Sequence, residues 1–279
     1  MALPPRLAQL AGKRGLGFIN WHRRRKYIHR PEALDAITRD LTSRKVDHIA
    51  VTGDLVNLSL PSEYERARVW LETLGSPRDV TVIPGNHDIY VHGVEQTAAQ
   101  FWGNYMRGDD GTLAFPFLRR RANVALIALS SALPTGPFLA TGKLGERQCS
   151  RLAGLLDQTR DCFRVVLIHH PPLSPMSRYM RRLTDAAAFR RVLARHGAEL
   201  VLHGHDHCRS LVWLEGPRKR IPVVGAPSAS ARMPHGHEDA AGYNLFRIDG
   251  APDAWHCGMI GREHCADGSV RDVGHQQLS

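Results

Sequence analysis

The sequence predicts an α/β protein of two packed sheets flanked by helices, and three observations lead there. Short apolar runs at 48–52, 80–83, 124–129, 164–168 and 199–202 are separated by stretches of helical spacing, the alternation expected of strand–helix units. Beyond residue 210 the rhythm changes. Short runs at 211–214, 221–224, 243–248 and 254–257 follow one another with turn residues between them and no room for helices, which reads as an antiparallel finish. A chain of 279 residues is long enough to carry such a fold.

Residues 1–30 are basic and weakly patterned, and this segment is expected to be loop. Pro31 then opens a helix whose apolar positions, Leu34, Ile37 and Leu41, fall three and four residues apart. Further helical patterns cover 61–74, 146–158 and 184–196. A single domain is expected over 31–266, followed by a polar, frayed tail at 267–279. There is no internal repeat and no low-complexity segment.

Composition narrows the class. Hydrophobic residues make up 43% and charged residues 23%, ordinary values for a globular chain. The formal charge is +10, which favours anionic partners such as phosphate esters, nucleic acid or acidic headgroups. No nucleic-acid motif accompanies that charge, so nucleic acid is not an expected partner. The five cysteines are odd in number and include no CxxC pair, which argues against a disulfide framework. No run approaches ~20 apolar residues, and the amino terminus lacks a secretory pattern, so a cytoplasmic location is expected.

Chemistry concentrates at the strand ends. Four strands run into Gly53-Asp54, Gly85-Asn86-His87-Asp88, His169-His170-Pro171-Pro172 and Gly204-His205-Asp206-His207. Singly, most of these have a plain explanation: an Asp after Gly is commonly a turn residue or helix cap, and His-His-Pro-Pro can simply end a strand. The Gly-His-Asp-His run is harder to dismiss, because it leaves costly polar groups at a buried edge. Loops at the carboxyl ends of strands are where open α/β sheets bind ligands. One carboxylate, one amide oxygen and several imidazoles suit Mn²⁺, Fe²⁺ or Zn²⁺ better than Ca²⁺ or Mg²⁺.

These four clusters, in this order, resemble the signature of the calcineurin-like metallophosphoesterases over about residues 31–250. Leu167-Ile168-His169-His170-Pro171-Pro172 and Gly242-Tyr243-Asn244-Leu245 more weakly resemble the class III cyclic-nucleotide phosphodiesterase branch. The resemblance implies a four-layer α-β-β-α sandwich of two mixed sheets and two divalent metal ions. It implies that Asp54 bridges the metals, that Asn86, His169 and His205 complete one site, and that His207 serves the other. His87 matches the catalytic histidine near the leaving oxygen, with Asp88 orienting it. The substrate implied is a small anionic phosphoester hydrolysed by a metal-activated water.

One family element is absent. The chain has no Asp-x-His and no apolar strand before residue 30 to carry it, so the sandwich is expected to lack its first strand. The first metal site then retains Asp54 and His207; His22, His29 or Asp35 could substitute for the missing pair, but none has the motif's context. The run Trp21-His22-Arg23-Arg24-Arg25-Lys26-Tyr27 reads either as a solvated surface or as a patch for anionic substrate or lipid headgroups. Two further functions stay open: a pyrophosphatase of the UDP-diacylglucosamine kind at a membrane surface, and a degenerate binding module of low activity.

Overall fold

The computed structural model describes residues 5–174 and 176–279. Its helices are α1 (Lys13–Asn20), α2 (Lys26–Ile28), α3 (Pro31–Ser43), α4 (Pro61–Leu74), α5 (Glu95–Trp102), α6 (Gly145–Gln158) and α7 (Ala186–His196). Its strands are β1 (Ile49–Val51), β2 (Val80–Val82), β3 (Phe117–Arg121), β4 (Val124–Ala128), β5 (Phe163–Leu167), β6 (Leu200–His203), β7 (Ser210–Leu214), β8 (Ile221–Gly225), β9 (Gly242–Ala251), β10 (Ala254–His264) and β11 (Val270–Gln277). A six-stranded sheet has the order β3-β4-β5-β6-β8-β7. Its centre, β4 to β8, is parallel, and β3 and β7 run antiparallel at the two edges.

Alternation along the central strands builds two cores. Leu126, Ala128, Val165, Leu167 and Leu200 face α4, β2 and β10, while Ile127, Val166, Ile168, Val201 and Val223 face α6 and α7. Because strand side chains point to opposite faces in turn, a buried parallel sheet needs both sets to be apolar, and here they are. Helix α4 buries Tyr64, Ala67, Leu71 and Leu74, one stripe at helical spacing. The outcome is the mixed α/β fold expected, with helices on the outer faces of two packed sheets.

The other sheet is in two pieces. β1 pairs in parallel with β2, β9 and β11 flank β10, and no strand joins β1 to β9 among the described residues. A cleft of about 800 Å³ runs between these free edges. Ile49 and Val51 line it on one side, Tyr243 and Phe246 on the other, Leu202 and Val224 form its floor, and Leu34, Ile37 and Leu41 of α3 cover it. The expected incompleteness of the sandwich thus takes the form of an apolar seam. Helix α3 is fixed over it through Asp40, which accepts hydrogen bonds from Arg262 Nη2 (2.6 Å), Arg262 Nε (3.0 Å) and Tyr243 Oη (2.6 Å).

Two expectations need correction. Residues 13–28 are helical throughout rather than loop, with a π-turn over Trp21–Arg25 joining α1 to α2. Packing makes that helix. Arg14 donates to the carbonyls of Leu58 (3.0 Å) and Ser59 (2.7 Å), and Phe18 packs on the cluster of Leu58, Leu60 and Tyr90. Gly15 and Gly17 lower its intrinsic propensity, but a Cβ at Gly17 would sit 2.7 Å from Leu58 and Tyr90, so the close approach needs glycine. The tail at 267–279 is not frayed either: β11 pairs with β10, and Leu278 is buried with its N–H on the Cys257 carbonyl (2.8 Å). No helix among the described residues is long and apolar enough to cross a membrane.

Candidate metal centre and active site

The predicted residues come together where β1, β2, β5 and β6 end. Asp54, His205 and His207 all hold left-handed backbone (φ 62°, 56° and 54°), a conformation that costs non-glycine residues energy and turns each side chain sharply off its strand. The loops after β1 and β2 touch through glycine. A Cβ on Gly85 would lie 2.2 Å from Asp54 Oδ1, and one on Gly53 would lie 2.5 Å from the Gly85 nitrogen. Only residues without side chains allow the two loops to meet.

His169 is the hub. Its Nδ1–H donates to the Thr52 carbonyl (2.7 Å), which leaves Nε2 bare and aimed at the cluster. Around Nε2 lie Asn86 Oδ1 at 3.2 Å, His205 Nδ1 at 3.2 Å and Asp54 Oδ2 at 3.4 Å. These spacings match the roughly 3.3–3.4 Å edge of a coordination tetrahedron with bonds of about 2.0–2.1 Å. Asn86, His169 and His205 are buried, and His205 Nε2 has no hydrogen-bond partner among the described residues.

The electrostatics favour positive charge at the same point. Burial works against the Asp54 carboxylate, yet His169 and His87 hold its pKa well below the usual range. Burial likewise opposes a charge on His169, but Asp54 outweighs it and the pKa rises. Burial and the neighbouring His170 push His205 down, keeping it a neutral imidazole fit to ligate. Asp54, Asn86, His169 and His205 together therefore form a donor set that fits a divalent cation.

His170 lies in the same buried group of imidazoles, but both its nitrogens are taken, by Ser131 Oγ (2.8 Å) and by the Ala140 carbonyl (3.1 Å). That supports His169 as the ligand of the pair. His207 faces elsewhere. Its Nδ1 meets Glu238 Oε2 at 2.7 Å, and His235 Nε2 reaches the same oxygen at 3.2 Å. A second ion would draw on Asp54 and His207, which the structure does not place in contact.

Asp88 does not orient His87. Fully buried, it accepts the backbone N–H groups of Asp54 (2.7 Å), Leu55 (2.8 Å), Val56 (3.1 Å) and Gly85 (2.8 Å), tying the two ligand loops together. The His87 ring is instead fixed by Nδ1–H donation to the Asn57 carbonyl (2.7 Å) and by stacking on Tyr90 at 5.3 Å. Its Nε2 therefore faces the site as an acceptor. Burial, then the charge of Arg25, hold the His87 pKa at about 3.

Arg25 and Asn57 are the site residues that sequence reasoning missed. Arg25 Nη1 donates to Asn57 Oδ1 (2.6 Å) and lies 3.1 Å from His87 Nε2. No carboxylate among the described residues forms an ion pair with it, although Asp54 and Glu238 are near enough to favour its charge. The signal in sequence was the basic run itself, but nothing there says which of its four cations turns inward.

Residues 21–209 match the family model of calcineurin-like phosphoesterases. A probable cyclic nucleotide phosphodiesterase of Synechococcus sp. is 30% identical over 202 residues, covering 71% of each chain. Among solved structures, a single mutant of Vps29 from Entamoeba histolytica is similar over 88% of this chain and 89% of that one, with 13% identity and a TM-score of 0.45. The sulfate thiohydrolase SoxB of Thermus thermophilus is similar over 90% of this chain and 43% of that one, with 18% identity and a TM-score of 0.47.

Proposed function

This chain belongs to the calcineurin-like phosphoesterase family, and we propose that it hydrolyses a small phosphodiester, a cyclic nucleotide being one candidate, at the cluster around His169. The observation that carries this reading is the placement of Asn86 Oδ1, His205 Nδ1 and Asp54 Oδ2 at 3.2–3.4 Å from the bare Nε2 of His169. Asp54, Asn86, His169 and His205 would hold one divalent cation, Mn²⁺, Fe²⁺ or Zn²⁺ by donor type, and Asp54 with His207 a second. When bound, such ions supply a water of lowered pKa and polarise phosphoryl oxygens.

The chain's own residues do the rest. Arg25 offers guanidinium N–H groups not used by Asn57 or His87 to the anionic oxygens, a geometry suited to phosphate. His87 presents Nε2 beside it, with Nδ1–H locked on Asn57, so Nε2 is the atom that exchanges a proton with the leaving alkoxide. Burial is the main force keeping His87 neutral and the Arg25 charge the next; an anion beside Arg25 offsets the second and shifts His87 toward the protonated form needed by a general acid. Asp88 contributes by holding the Asp54 and Asn86 loops in register.

A second reading, hydrolysis of a UDP-diacylglucosamine type diphosphate at a membrane, is favoured by Leu16 and Ile19, which stand exposed on α1, the helix that leads to Arg25. Turnover of bis-p-nitrophenyl phosphate, cyclic AMP and a UDP-acylglucosamine, measured side by side with added Mn²⁺, separates the two. Loss of the preferred activity in His169→Ala is expected. Absence of turnover on all three would leave the binding-module reading standing and end the enzymatic one.

A further inference from the structure

Three segments form the rim of the site. The continuous helix from α1 to α2 is joined to the 135–139 turn by Lys13 Nζ, which donates to Thr135 Oγ1 (2.7 Å) and to the Leu139 carbonyl (3.2 Å). That turn is joined to the 178–181 segment by the Ala140 N–H on the Met180 carbonyl (3.0 Å). Each also reaches the centre: Arg25 beside His87, the Ala140 carbonyl on His170, and Arg181 on the His205 carbonyl at 3.1 Å. The three segments are therefore linked to one another, and each is anchored at the site.

They show grease and positive charge together. Eleven large hydrophobic side chains are exposed among the described residues, and six are on this rim: Leu16, Ile19, Tyr27, Phe138, Tyr179 and Met180. Phe138 is 83% exposed and Tyr27 65%, values that no core role explains. On the helix the division is by face. Arg14, Phe18 and Arg25 turn inward, to Leu58 and Ser59, to Tyr90, and to His87, whereas Leu16, Ile19, Arg23 and Tyr27 point out. Scattered exposed hydrophobics are ordinary, but a set gathered on three linked segments is not.

The charge is one-sided. No Asp or Glu occurs in 1–31, 111–145 or 162–184, the stretches that hold all three segments, while Arg23, Arg24, Lys26 and Arg182 are on them. Arg23 and Arg24 are exposed and form no ion pair among the described residues, and Arg182 stacks on Tyr179 with its guanidinium carbon 3.5 Å from the ring centre. Arg178 is paired with Asp206, but segments that carry no carboxylate of their own and show aliphatic and aromatic side chains between Arg23, Arg24 and Arg182 complement one partner in particular: an anionic lipid bilayer. Apolar side chains enter the headgroup region while the cations meet lipid phosphates.

We propose that this rim is a membrane-docking face, which lays the mouth of the site on an anionic bilayer and selects a phosphoester carried at that surface. The docking stands on the surface alone; the substrate class rests on the phosphoester-hydrolase reading above.

The test is co-sedimentation of the full chain with phosphatidylcholine vesicles containing about 30% phosphatidylglycerol, at low and at high salt. Binding is expected at low salt, with pure phosphatidylcholine at least about tenfold weaker. Two variants separate the parts, Ile19→Ser with Phe138→Ser for insertion and Arg23→Glu with Arg24→Glu for charge, and each is expected to reduce binding by about tenfold or more. All four positions are exposed, so both variants should keep wild-type turnover of soluble bis-p-nitrophenyl phosphate. A chain that stays in the supernatant with anionic vesicles at low salt overturns the proposal, and so does an apolar double variant that binds as well as wild type. A chain that docks as expected but hydrolyses nothing removes the substrate assignment and leaves the docking face intact.

Discussion

Replacing Arg25 by methionine keeps the length of the side chain and removes its only charged group. Arg25 is partly buried, donates to Asn57 Oδ1 at 2.6 Å and lies 3.1 Å from His87 Nε2, and no carboxylate among the described residues is paired with it. A guanidinium held this way has donors left for a phosphoryl group, and each hydrogen bond between charged partners contributes roughly 1.5–3 kcal/mol. Losing one such contact in the transition state corresponds to a fall in kcat/KM of about 10- to 150-fold. Steady-state kinetics on bis-p-nitrophenyl phosphate with Mn²⁺ read this directly. Arg25→Lys should recover part of the loss, because the charge returns without the planar fork. Arg24→Met is the control, since Arg24 is exposed and touches none of the site residues. If Arg25→Met stays within about twofold of wild type, Arg25 does not bind substrate and its inward turn only anchors the helix.

Three other outcomes follow from the geometry. His169→Ala removes the atom on which the other donors converge, so Mn²⁺ or Zn²⁺ affinity measured by calorimetry should fall at least about 100-fold; unchanged affinity and stoichiometry would show that the ion sits elsewhere. Asp40→Ala takes from Arg262 one of its two carboxylate partners, Asp272 being the other, and should cost about 2 kcal/mol in urea unfolding, while a loss below about 0.5 kcal/mol would mean the pair contributes little. His48 gives a pH signature: burial, then Arg121 and Arg119, lower its pKa from 6.5 to about 4. The folded state then holds fewer protons than the unfolded one in that window, so stability is full above pH 6.5 and declines as pH falls toward 4. The decline should be on the order of 2 kcal/mol after allowing for partial exposure, and His48→Gln should flatten it in pH-dependent unfolding.

The strand ends were legible because each ligand follows an apolar run directly, so the chain positions of Asp54, Asn86, His169 and His205 imply their convergence once the strands share an end of the fold. What was not legible depends on contacts between distant residues. Asp88 sits two residues from Asn86 and looks catalytic in sequence, yet its oxygens are spent on backbone N–H groups. His207 shares a motif with His205, but its Nδ1 is engaged by Glu238, which is 31 residues away in the chain. Strand β3 was hidden by three consecutive arginines. Arg119 is nonetheless buried, because Pro77, Val80, Asn104 and Arg107 supply it with carbonyls (2.6–3.0 Å) that no local pattern announces. The N-terminal helix was missed for the opposite reason: its charges read as solvent-facing, and one of them is not.

The seam between β1 and β9 bears on how the molecule behaves in a crowd. An unpaired strand edge is ordinarily an invitation to intermolecular sheet growth, and at this seam two such edges lie side by side. Both open onto one trough roofed by Leu34, Ile37 and Leu41, so neither is offered to a flat neighbouring sheet. Only a lone extended chain, threaded lengthwise, has the shape to reach them. At this seam the unused backbone hydrogen-bonding capacity is thus kept away from indiscriminate stacking, and the polymerisation hazard of these two edges is confined to conditions in which α3 lifts away.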